Sequence, residues 1–415
     1  MHILWINDHA DFTGGCEQYI YQTVILLKAE GIESSLLYQC GAPVNPAFTS
    51  VFSGAFPLVD ASQQIEGIAP DLLYIHRLES IDTLKVILLM AIKKIRFYHD
   101  HKLFCLREHK YTTLGHHTCC RKVGAACYAC LGFINKGNKG FKIHTLGDLK
   151  LEMSINRQLD YFVVGSDYMA EHLTLHNFPA NRILTAPLYT APIVNVTRVD
   201  KTHKVKTIDI VNETGFHERK TNKLRNGSVD HVRGDTQHLV FVGQLVRGKG
   251  LDTLLDAMGK LDDSVNLTVC GSGSMEHDYR DQTRKLGIEK RVEFVGQLNN
   301  SELSRWYERA DIVVIPARAP ETFCLVGIES LLHGKPVVTS NVGGMMDWFK
   351  PNYNGLSFTA NKSKELAQAI RNILFDKGVY SSLVENIKSD NYDRFKPQHH
   401  LNLLTAMFSE LLEAS

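Results

Sequence analysis

Short apolar runs alternate with longer amphipathic stretches along the first 190 residues. The opening run His2–Ile6 is followed by polar residues and a Gly14-Gly15 pair, and a helical pattern then extends over residues 17–30. The order recurs, with strands predicted at Ser34–Tyr38, Leu72–His76, Ile95–Tyr98 and Tyr161–Val164 and helices near Thr83–Lys94 and from Asp167. This alternation predicts a parallel sheet with helices on both faces.

A second series of the same kind begins at residue 238. Its predicted strands are His238–Val242, Asn266–Cys270, Val292–Phe294, Ile312–Ile315 and Pro336–Ser340, and its helices are Leu251–Leu261, Met275–Leu286, Ser301–Ala310 and Cys324–His333. Residues 194–237 are polar and show neither the helical nor the strand periodicity of apolar residues. This predicts an extended connector between two domains.

The predicted fold is therefore α/β, with two doubly wound, Rossmann-like domains facing a cleft. The first domain is expected over residues 1–193 and the second over residues 238–380. Helices in residues 381–415 are expected to pack back on the first domain.

Charge and composition argue against a nucleic-acid-binding, a secreted or a membrane-spanning protein. Lys plus Arg (46) nearly balances Asp plus Glu (45) over 415 residues, which argues against nucleic acid as the main partner. The amino terminus does not resemble a secretory signal, and the longest apolar stretch, Val86–Ile92, is too short to span a bilayer. We expect a cytoplasmic location, with peripheral contact to the inner face of the membrane left open.

Two glycine turns follow consecutive strands of the second domain. The turn at residues 243–250 carries Arg247 and Lys249 before a helix, so backbone N–H groups and two cations would face an anion such as a diphosphate. The next turn contains Gly271 and Gly273, which let the backbone approach a ligand. The alternative is that Arg247 and Lys249 only decorate a solvated turn.

Two glutamates flank the start of a later helix. Glu321 lies in the preceding loop and Glu329 within the helix, so the loop carboxylate can bind sugar hydroxyls while the helix carboxylate accepts from a ribose diol. A buried Glu329 would need a partner, which a ligand could provide, whereas a surface salt bridge is the alternative. Lys249 and Glu321 are expected at exposed positions.

These segments resemble the donor domain of family 4 retaining glycosyltransferases of the GT-B fold, also called the glycosyltransferase group 1 domain. The resemblance rests on the R-G-K-G turn, the G-S-G loop, V-G-Q-L at Val295–Leu298, E-T-F-C-L-V-G-I-E at residues 321–329 and the P-V-V-T-S-N-V-G-G segment after it. It is specific over about residues 238–376 and looser over residues 1–190. There, residues 11–17 are similar to the family's glycine loop beside the diphosphate, and His99-Asp100 matches its sugar-pocket histidine.

The resemblance implies a hexosyltransferase that uses a UDP- or GDP-linked sugar and a sugar or lipid-linked acceptor. Its catalytic residues would be His99, Lys249 and Glu321, with Arg247 beside the diphosphate and Glu329 on the ribose. The other implied donor-binding residues are Gly14, Gly15, Gly271, Gly273, Val295, Leu298, Phe323, Cys324 and Leu325. Gln244 stands where the family usually has arginine, so that phosphate contact is either lost or supplied by Arg247.

Fixed cations at the leaving diphosphate would supply the main transition-state stabilisation. The sequence has no Asp-x-Asp pair to hold a divalent cation, so we expect metal-independent transfer and no catalytic cofactor. A nicotinamide oxidoreductase would need G-x-G-x-x-G after the first strand, and residues 11–17 lack that spacing. An epimerase or phosphorylase on the same fold, and a metal-binding subunit with a relic donor site, stay open.

Five of the nine cysteines fall within residues 105–130, in a Cys/His-rich insertion at residues 99–140 of the first domain. A C-x-x-C pair with two thiols about seven residues upstream suits tetrahedral thiolate coordination. Reduced thiols that only pack, or a disulfide, are the alternatives. The hypothesis is a structural zinc ion bound by Cys119, Cys120, Cys127 and Cys130.

Overall fold

The computed structural model of the chain describes residues 1–112, 117–130, 134–137, 140–143, 145–190 and 236–413. It divides into an amino-terminal unit, residues 1–189 with 393–415, and a carboxyl-terminal unit, residues 190–392. The predicted connector at residues 194–237 lies outside the described residues except for its last two.

The strands, numbered in chain order, all belong to parallel sheets except for one antiparallel hairpin, β6–β7. They are β1 (His2–Asn7), β2 (Glu33–Gln39), β3 (Gly54–Leu58), β4 (Leu72–Ile75), β5 (Lys93–Tyr98), β6 (Ile134–Gly137), β7 (Gly140–Ile143), β8 (Tyr161–Val164), β9 (Ile183–Thr185), β10 (Gln237–Val242), β11 (Val265–Cys270), β12 (Val292–Gly296), β13 (Ile312–Ile315), β14 (Val337–Thr339) and β15 (Gly355–Ser357).

The α-helices lie mostly between consecutive strands. They are α1 (Gly15–Ala29), α2 (Pro46–Thr49), α3 (Ala61–Ile68), α4 (Ile81–Leu89), α5 (Leu146–Asn156), α6 (Asp167–Leu175), α7 (Leu251–Met258), α8 (Glu276–Leu286), α9 (Asn300–Arg309), α10 (Leu325–Leu332), α11 (Ser363–Phe375), α12 (Lys377–Ser389) and α13 (Pro397–Glu413). None of the helices in the described part of the chain combines the length and apolar character that a bilayer span requires.

The amino-terminal sheet has the order β3-β2-β1-β4-β5-β8-β9, with every neighbouring pair parallel. Strand β4, with the sequence LLYI, is buried throughout, as expected when helices cover both faces of a parallel sheet. One apolar cluster joins Trp5, Tyr19 and Tyr74 to Leu404 and Phe408 of α13. The last helix of the chain is thus part of the amino-terminal core.

The carboxyl-terminal sheet has the order β12-β11-β10-β13-β14-β15 and is also parallel throughout. Its core packs the inward faces of β10, β11 and β13 against α7 and α11. Helix α9 begins with a capping box, because the Asn299 side chain accepts from the Glu302 amide at 3.0 Å and the Glu302 carboxylate accepts from the Asn299 amide at 3.0 Å.

Two sequence predictions need correction, and some short strands were not predicted. The helix predicted over Thr83–Lys94 ends at Leu89, because the chain turns there and Lys93 opens β5. Residues 381–415 do not all pack on the first domain, since α12 lies in the carboxyl-terminal unit and only α13 lies in the amino-terminal one. Several short elements were missed, among them β3, β9, β15 and the β6–β7 hairpin.

Candidate donor site

The carboxyl-terminal sheet reverses its strand order between β10 and β13, which lie side by side. In doubly wound sheets, ligands bind outside the carboxyl ends of the strands at such a reversal. The two loops that leave the sheet there are residues 243–250 after β10 and residues 316–324 after β13. They carry the predicted Lys249 and Glu321.

Lys249 and Glu321 form an ion pair across these two loops. The Lys249 Nζ donates to Glu321 Oε1 at 2.7 Å and to Oε2 at 2.9 Å. The prediction that both residues are exposed was wrong, because both side chains are only partly exposed, 15% for Glu321 and 34% for Lys249. Burial lowers the pKa of Lys249, but the Glu321 carboxylate outweighs it and holds the pKa above its usual value. Lys249 therefore stays charged at neutral pH.

Glycines bring the loops close enough for this pair to form. Gly250 adopts a left-handed φ of 71°, and a Cβ atom there would lie 1.9 Å from the Pro316 carbonyl oxygen. Any side chain at Gly250 would push the two loops apart. The position of Lys249 next to Glu321 thus depends on the glycine that follows it.

Gly271 and Gly273 let the loop after β11 contact the loop after β10, and their predicted approach to a ligand stays a prediction. A Cβ atom on Gly271 would lie 2.0 Å from the Gly243 carbonyl oxygen, and one on Gly273 would lie 2.6 Å from the Leu245 carbonyl oxygen. The loops after β10 and β11 also exchange backbone hydrogen bonds, including one from the Leu245 amide to the Ser272 carbonyl at 2.9 Å. These glycines let one loop rest on the other, which fixes the shape of the site.

The start of α10 is shaped by an unusual backbone position. Cys324 has a φ of 70°, which is rare for a residue other than glycine, and α10 begins at the next residue, Leu325. The Phe323 side chain is buried, and its carbonyl accepts from the indole N–H of Trp348 at 2.8 Å. Among the backbone groups predicted to hold the sugar, the Phe323 carbonyl is therefore already engaged by the fold.

Glu329 has a protein partner that the sequence did not indicate. The Tyr307 hydroxyl donates to Glu329 Oε2 at 2.7 Å, from α9 to α10. Burial raises the pKa of Glu329, and the bond from Tyr307 opposes that rise. His333 braces the same helix, with Nδ1 at 2.7 Å from the Glu329 carbonyl and Nε2 at 2.9 Å from the Ser304 hydroxyl. One carboxylate oxygen is thus fixed by the protein.

The two arginines near the site differ in environment. Arg247 is exposed, in a short 3-10 turn with Lys249. Arg318 is only 4% exposed, and its Nη2 donates to Asp252 Oδ1 at 2.6 Å and to the Thr253 hydroxyl at 3.1 Å. Arg318 therefore ties the loop after β13 to the first turn of α7.

The remaining predicted positions, Val295 and Leu298, lie at the end of β12 and just beyond it, and both are half-buried. Gln244, where the resembled family has arginine, is exposed.

Residues 229–390 match the family model for glycosyl transferases group 1. This match covers most of the carboxyl-terminal unit. An uncharacterized glycosyltransferase of Methanocaldococcus jannaschii is 35% identical over 166 residues, which make up 40% of this chain and 42% of that protein. A glycogen synthase of Mycobacterium tuberculosis is 34% identical over 141 residues, which make up 33% of this chain and 34% of that protein. The similarity to these relatives thus spans less than half of their length.

The likeness to solved structures extends beyond the residues that match this family model. Anabaena HepE in complex with UDP is similar with a TM-score of 0.69 and 16% identity, over 99% of this chain and 100% of that chain. At that identity the similarity shows the fold alone. It confirms the predicted fold class of two doubly wound, Rossmann-like domains of the GT-B type.

Outside the residues that match the family model, the amino-terminal sheet has its own reversal of strand order between β1 and β4. Gly14 precedes α1 and Gly15 is its first residue, as the predicted glycine loop requires. The loop is anchored by Glu17, whose side chain is fully buried. Glu17 Oε1 accepts a hydrogen bond from Asn7 Nδ2 at 3.3 Å and lies 3.7 Å from Arg77 Nη1. Glu17 thus links the start of α1 to the end of β1, through Asn7, and to the loop after β4, through Arg77.

His99 follows β5 and contacts a second histidine. Its Nε2 lies 2.7 Å from Nδ1 of His76, which follows β4 and stacks on Trp5. Burial lowers the pKa of His99 to about 3, with Arg77 contributing in the same direction. His99 is therefore neutral at physiological pH. The sequence could have indicated His76, because His76 and His99 each follow one of two consecutive apolar strands, β4 and β5.

None of the five cysteines of the insertion, all of them described, forms a disulfide, and Cys127 packs against the amino-terminal core. Over the described residues, the one set of three candidate ligand atoms within 4.8 Å of one another comes from Cys16, His76 and His99. The four cysteines predicted to bind zinc are described, but they do not form such a set. Zinc binding by those four residues stays a prediction.

Proposed function

We propose that the protein is a retaining glycosyltransferase that transfers a hexose from a nucleotide diphosphate sugar without a metal ion. The observation that carries the proposal is the Lys249–Glu321 pair, held at the strand reversal of a group 1 glycosyltransferase domain. The pair joins the cation needed by a leaving diphosphate to a carboxylate that can accept from sugar hydroxyls.

The chemistry follows from where charge develops. As the bond between the anomeric carbon and the phosphate oxygen breaks, negative charge grows on the diphosphate and positive charge on the sugar. Lys249 Nζ has three N–H donors, so it can contact a phosphate oxygen while it keeps a bond to Glu321. The acceptor oxygen bonds to the anomeric carbon on the face that the diphosphate leaves, and the departing phosphate oxygen takes the acceptor proton. Neutral His99 would orient the sugar rather than remove that proton.

Glu329 would bind the ribose of the donor. Tyr307 occupies its Oε2 atom at 2.7 Å, so the carboxylate can accept from a ribose hydroxyl in a fixed orientation. Anabaena HepE, which shares the fold, has been solved with UDP and with UDP-glucose. That supports a nucleotide diphosphate sugar as donor here, with UDP-linked donors the first to test and GDP-linked donors the second.

The metal-independent part of the proposal rests on the absence of an Asp-x-Asp pair from the sequence. The proposed acceptor is a sugar or a lipid-linked molecule, bound by the amino-terminal unit and met in the cytoplasm or at the inner face of the membrane.

The test compares Glu321→Gln and Lys249→Ala with the wild type in release of UDP from UDP-glucose. Loss of one preorganised charge at the leaving group should raise the barrier by about 3 kcal/mol, roughly a hundredfold in rate. Lys249→Ala also leaves a mostly buried carboxylate without its cation, so Lys249→Ala/Glu321→Gln should be more stable than Lys249→Ala alone. Glu276→Gln, in an exposed pair with Arg280 of the same unit, is the matched control.

Near-wild-type turnover in either single variant, with circular dichroism unchanged, would reject the proposed roles. A product with the donor sugar epimerised, or a sugar phosphate as product, would instead support an epimerase or a phosphorylase. Both products are visible in the same reaction by NMR.

A further inference from the structure

Three side chains that can ligate a metal ion converge at the carboxyl edge of the amino-terminal sheet. Cys16 is the second residue of α1, His76 follows β4 and His99 follows β5. One candidate ligand atom from each residue lies within 4.8 Å of the other two. Cys16 and His76 are buried and His99 is half-buried, so two of the three ligand positions are fixed by the fold.

The two histidines already direct ring nitrogens at one another. His76 Nδ1 and His99 Nε2 are 2.7 Å apart, which is a hydrogen-bond distance, so one neutral ring donates its proton to the other. A cation in place of that proton would meet two nitrogen lone pairs. Zinc–nitrogen bonds of about 2.0–2.1 Å put two tetrahedral nitrogen ligands roughly 3.3 Å apart, so the rings would separate by roughly 0.6 Å. The half-buried His99 is the ring with room to move.

Cys16 completes a donor set of one sulfur and two nitrogens. Its Sγ donates to the Asn7 side-chain oxygen at 3.8 Å, and burial together with the Glu17 carboxylate raises the pKa of the thiol, so Cys16 is a neutral thiol until an ion displaces its proton. The buried Glu17 carboxylate adds negative charge beside it, while Arg77 opposes a cation. Sulfur with imidazole suits zinc and similar ions, whereas magnesium and calcium prefer oxygen ligands.

We propose that Cys16, His76 and His99 bind a thiophilic divalent cation such as Zn²⁺, and that the bound ion inhibits transfer. Three protein ligands leave a fourth position for water, as in open zinc sites. On binding, the Cys16 thiol gives up its proton to solvent. The proton between the two rings moves to the far nitrogen of the ring that carried it, so both imidazoles stay neutral and the nitrogens that faced each other bind the ion. His99 can then no longer orient the donor sugar. The inhibition rests on the proposed function, whereas the metal site itself does not.

The first experiment titrates metal-free protein with Co²⁺ and follows the thiolate-to-cobalt charge-transfer absorption. Wild type, Cys16→Ala and Cys40→Ala are compared, because Cys40 is an exposed cysteine of the same unit and serves as the matched control. Any cobalt held by the cysteines of residues 105–130 is common to all three proteins. We expect Cys16→Ala to bind one cobalt ion fewer than the other two.

The second experiment measures inhibition of UDP release by Zn²⁺ in the same three proteins. We expect the inhibition constant to rise at least tenfold in Cys16→Ala and to stay unchanged in Cys40→Ala. Equal cobalt stoichiometry in the three proteins would refute the site. If Cys16→Ala binds one cobalt ion fewer but is inhibited by Zn²⁺ as strongly as the wild type, the metal site is supported and its effect on transfer is refuted. If the protein transfers no sugar, the cobalt titration still decides the metal site, and Cys16→Ser replaces Cys16→Ala should the latter not fold.

Discussion

The buried His400 should make the amino-terminal unit sensitive to acid. It lies in α13, is fully buried, and joins that helix to the rest of the unit through Nδ1 at 2.8 Å from the Pro187 carbonyl and Nε2 at 2.8 Å from the Tyr19 hydroxyl. A carbonyl only accepts, so Nδ1 carries the proton of the neutral ring and Tyr19 donates to Nε2. Protonation of Nε2 would add a charge and break that bond.

The size of the effect follows from the pKa. Burial lowers the pKa of His400 to about 4, against an ordinary value of 6.5. Between these values the unfolded chain binds a proton that the folded chain does not, so stability falls as pH falls. At 1.36 kcal/mol per pK unit, this residue alone should cost about 2 kcal/mol between pH 7.5 and pH 5, and about 3 kcal/mol by pH 4.

The assay is urea unfolding at pH 7.5 and pH 5, read by pulsed hydrogen exchange of peptides from β1 and α13, which report on the amino-terminal unit. His400→Gln replaces the ring with a side chain that does not titrate, so the variant should lose about 2 kcal/mol less than the wild type over this interval. His277→Gln, at an exposed histidine of the other unit, is the control. Equal acid sensitivity of His400→Gln and the wild type would show that His400 keeps an ordinary pKa when folded.

Three further outcomes are expected. Transfer should proceed fully in excess EDTA with retention of anomeric configuration, and an inverted product by NMR would place the enzyme in another mechanistic class. Purified protein should carry about one zinc ion on the cysteines of residues 119–130, and elemental analysis without stoichiometric metal, with all these thiols reactive, would contradict this. Tyr307→Phe should raise the pKa of Glu329 further and weaken UDP binding roughly tenfold, because the carboxylate loses a fixed donor. Unchanged affinity by calorimetry would exclude that role.

Sequence patterns located the elements whose burial is uniform. Strands β4, β8 and β13 are short apolar runs, and their predicted bounds agree with the structure within one residue. Strands β3, β9 and β15 have no such signature, since β3 contains a proline and the other two span three residues each. They form because a neighbouring strand offers hydrogen bonds, and local sequence does not carry that information.

The site shows the same division between local and tertiary information. Glycine turns and charge predicted Lys249, Glu321 and Glu329 as site residues, but the side chains that contact them come from elements distant in sequence. Tyr307 reaches Glu329 from the preceding helix, and His76 reaches His99 from a neighbouring strand. Because residue spacing says nothing about which helix packs beside which, these contacts required the fold.

Each of the two reversals of strand order carries an ion pair between neighbouring loops, and the two pairs differ in the exposure of their carboxylates. In each unit a carboxylate is held by a cation from the loop of a neighbouring strand, Glu17 by Arg77 at 3.7 Å and Glu321 by Lys249 at 2.7 Å. Glu17 is fully buried, and its Oε2 has no hydrogen-bond partner within the described residues, so that pair cannot exchange partners with a ligand at low cost. Glu321 and Lys249 keep part of their surface in solvent, so their donors and acceptors can turn to a substrate. The two cations are exposed to a similar degree, 32% for Arg77 and 34% for Lys249, so it is the exposure of the carboxylates that favours a structural role for Glu17 and a ligand-binding role for Glu321.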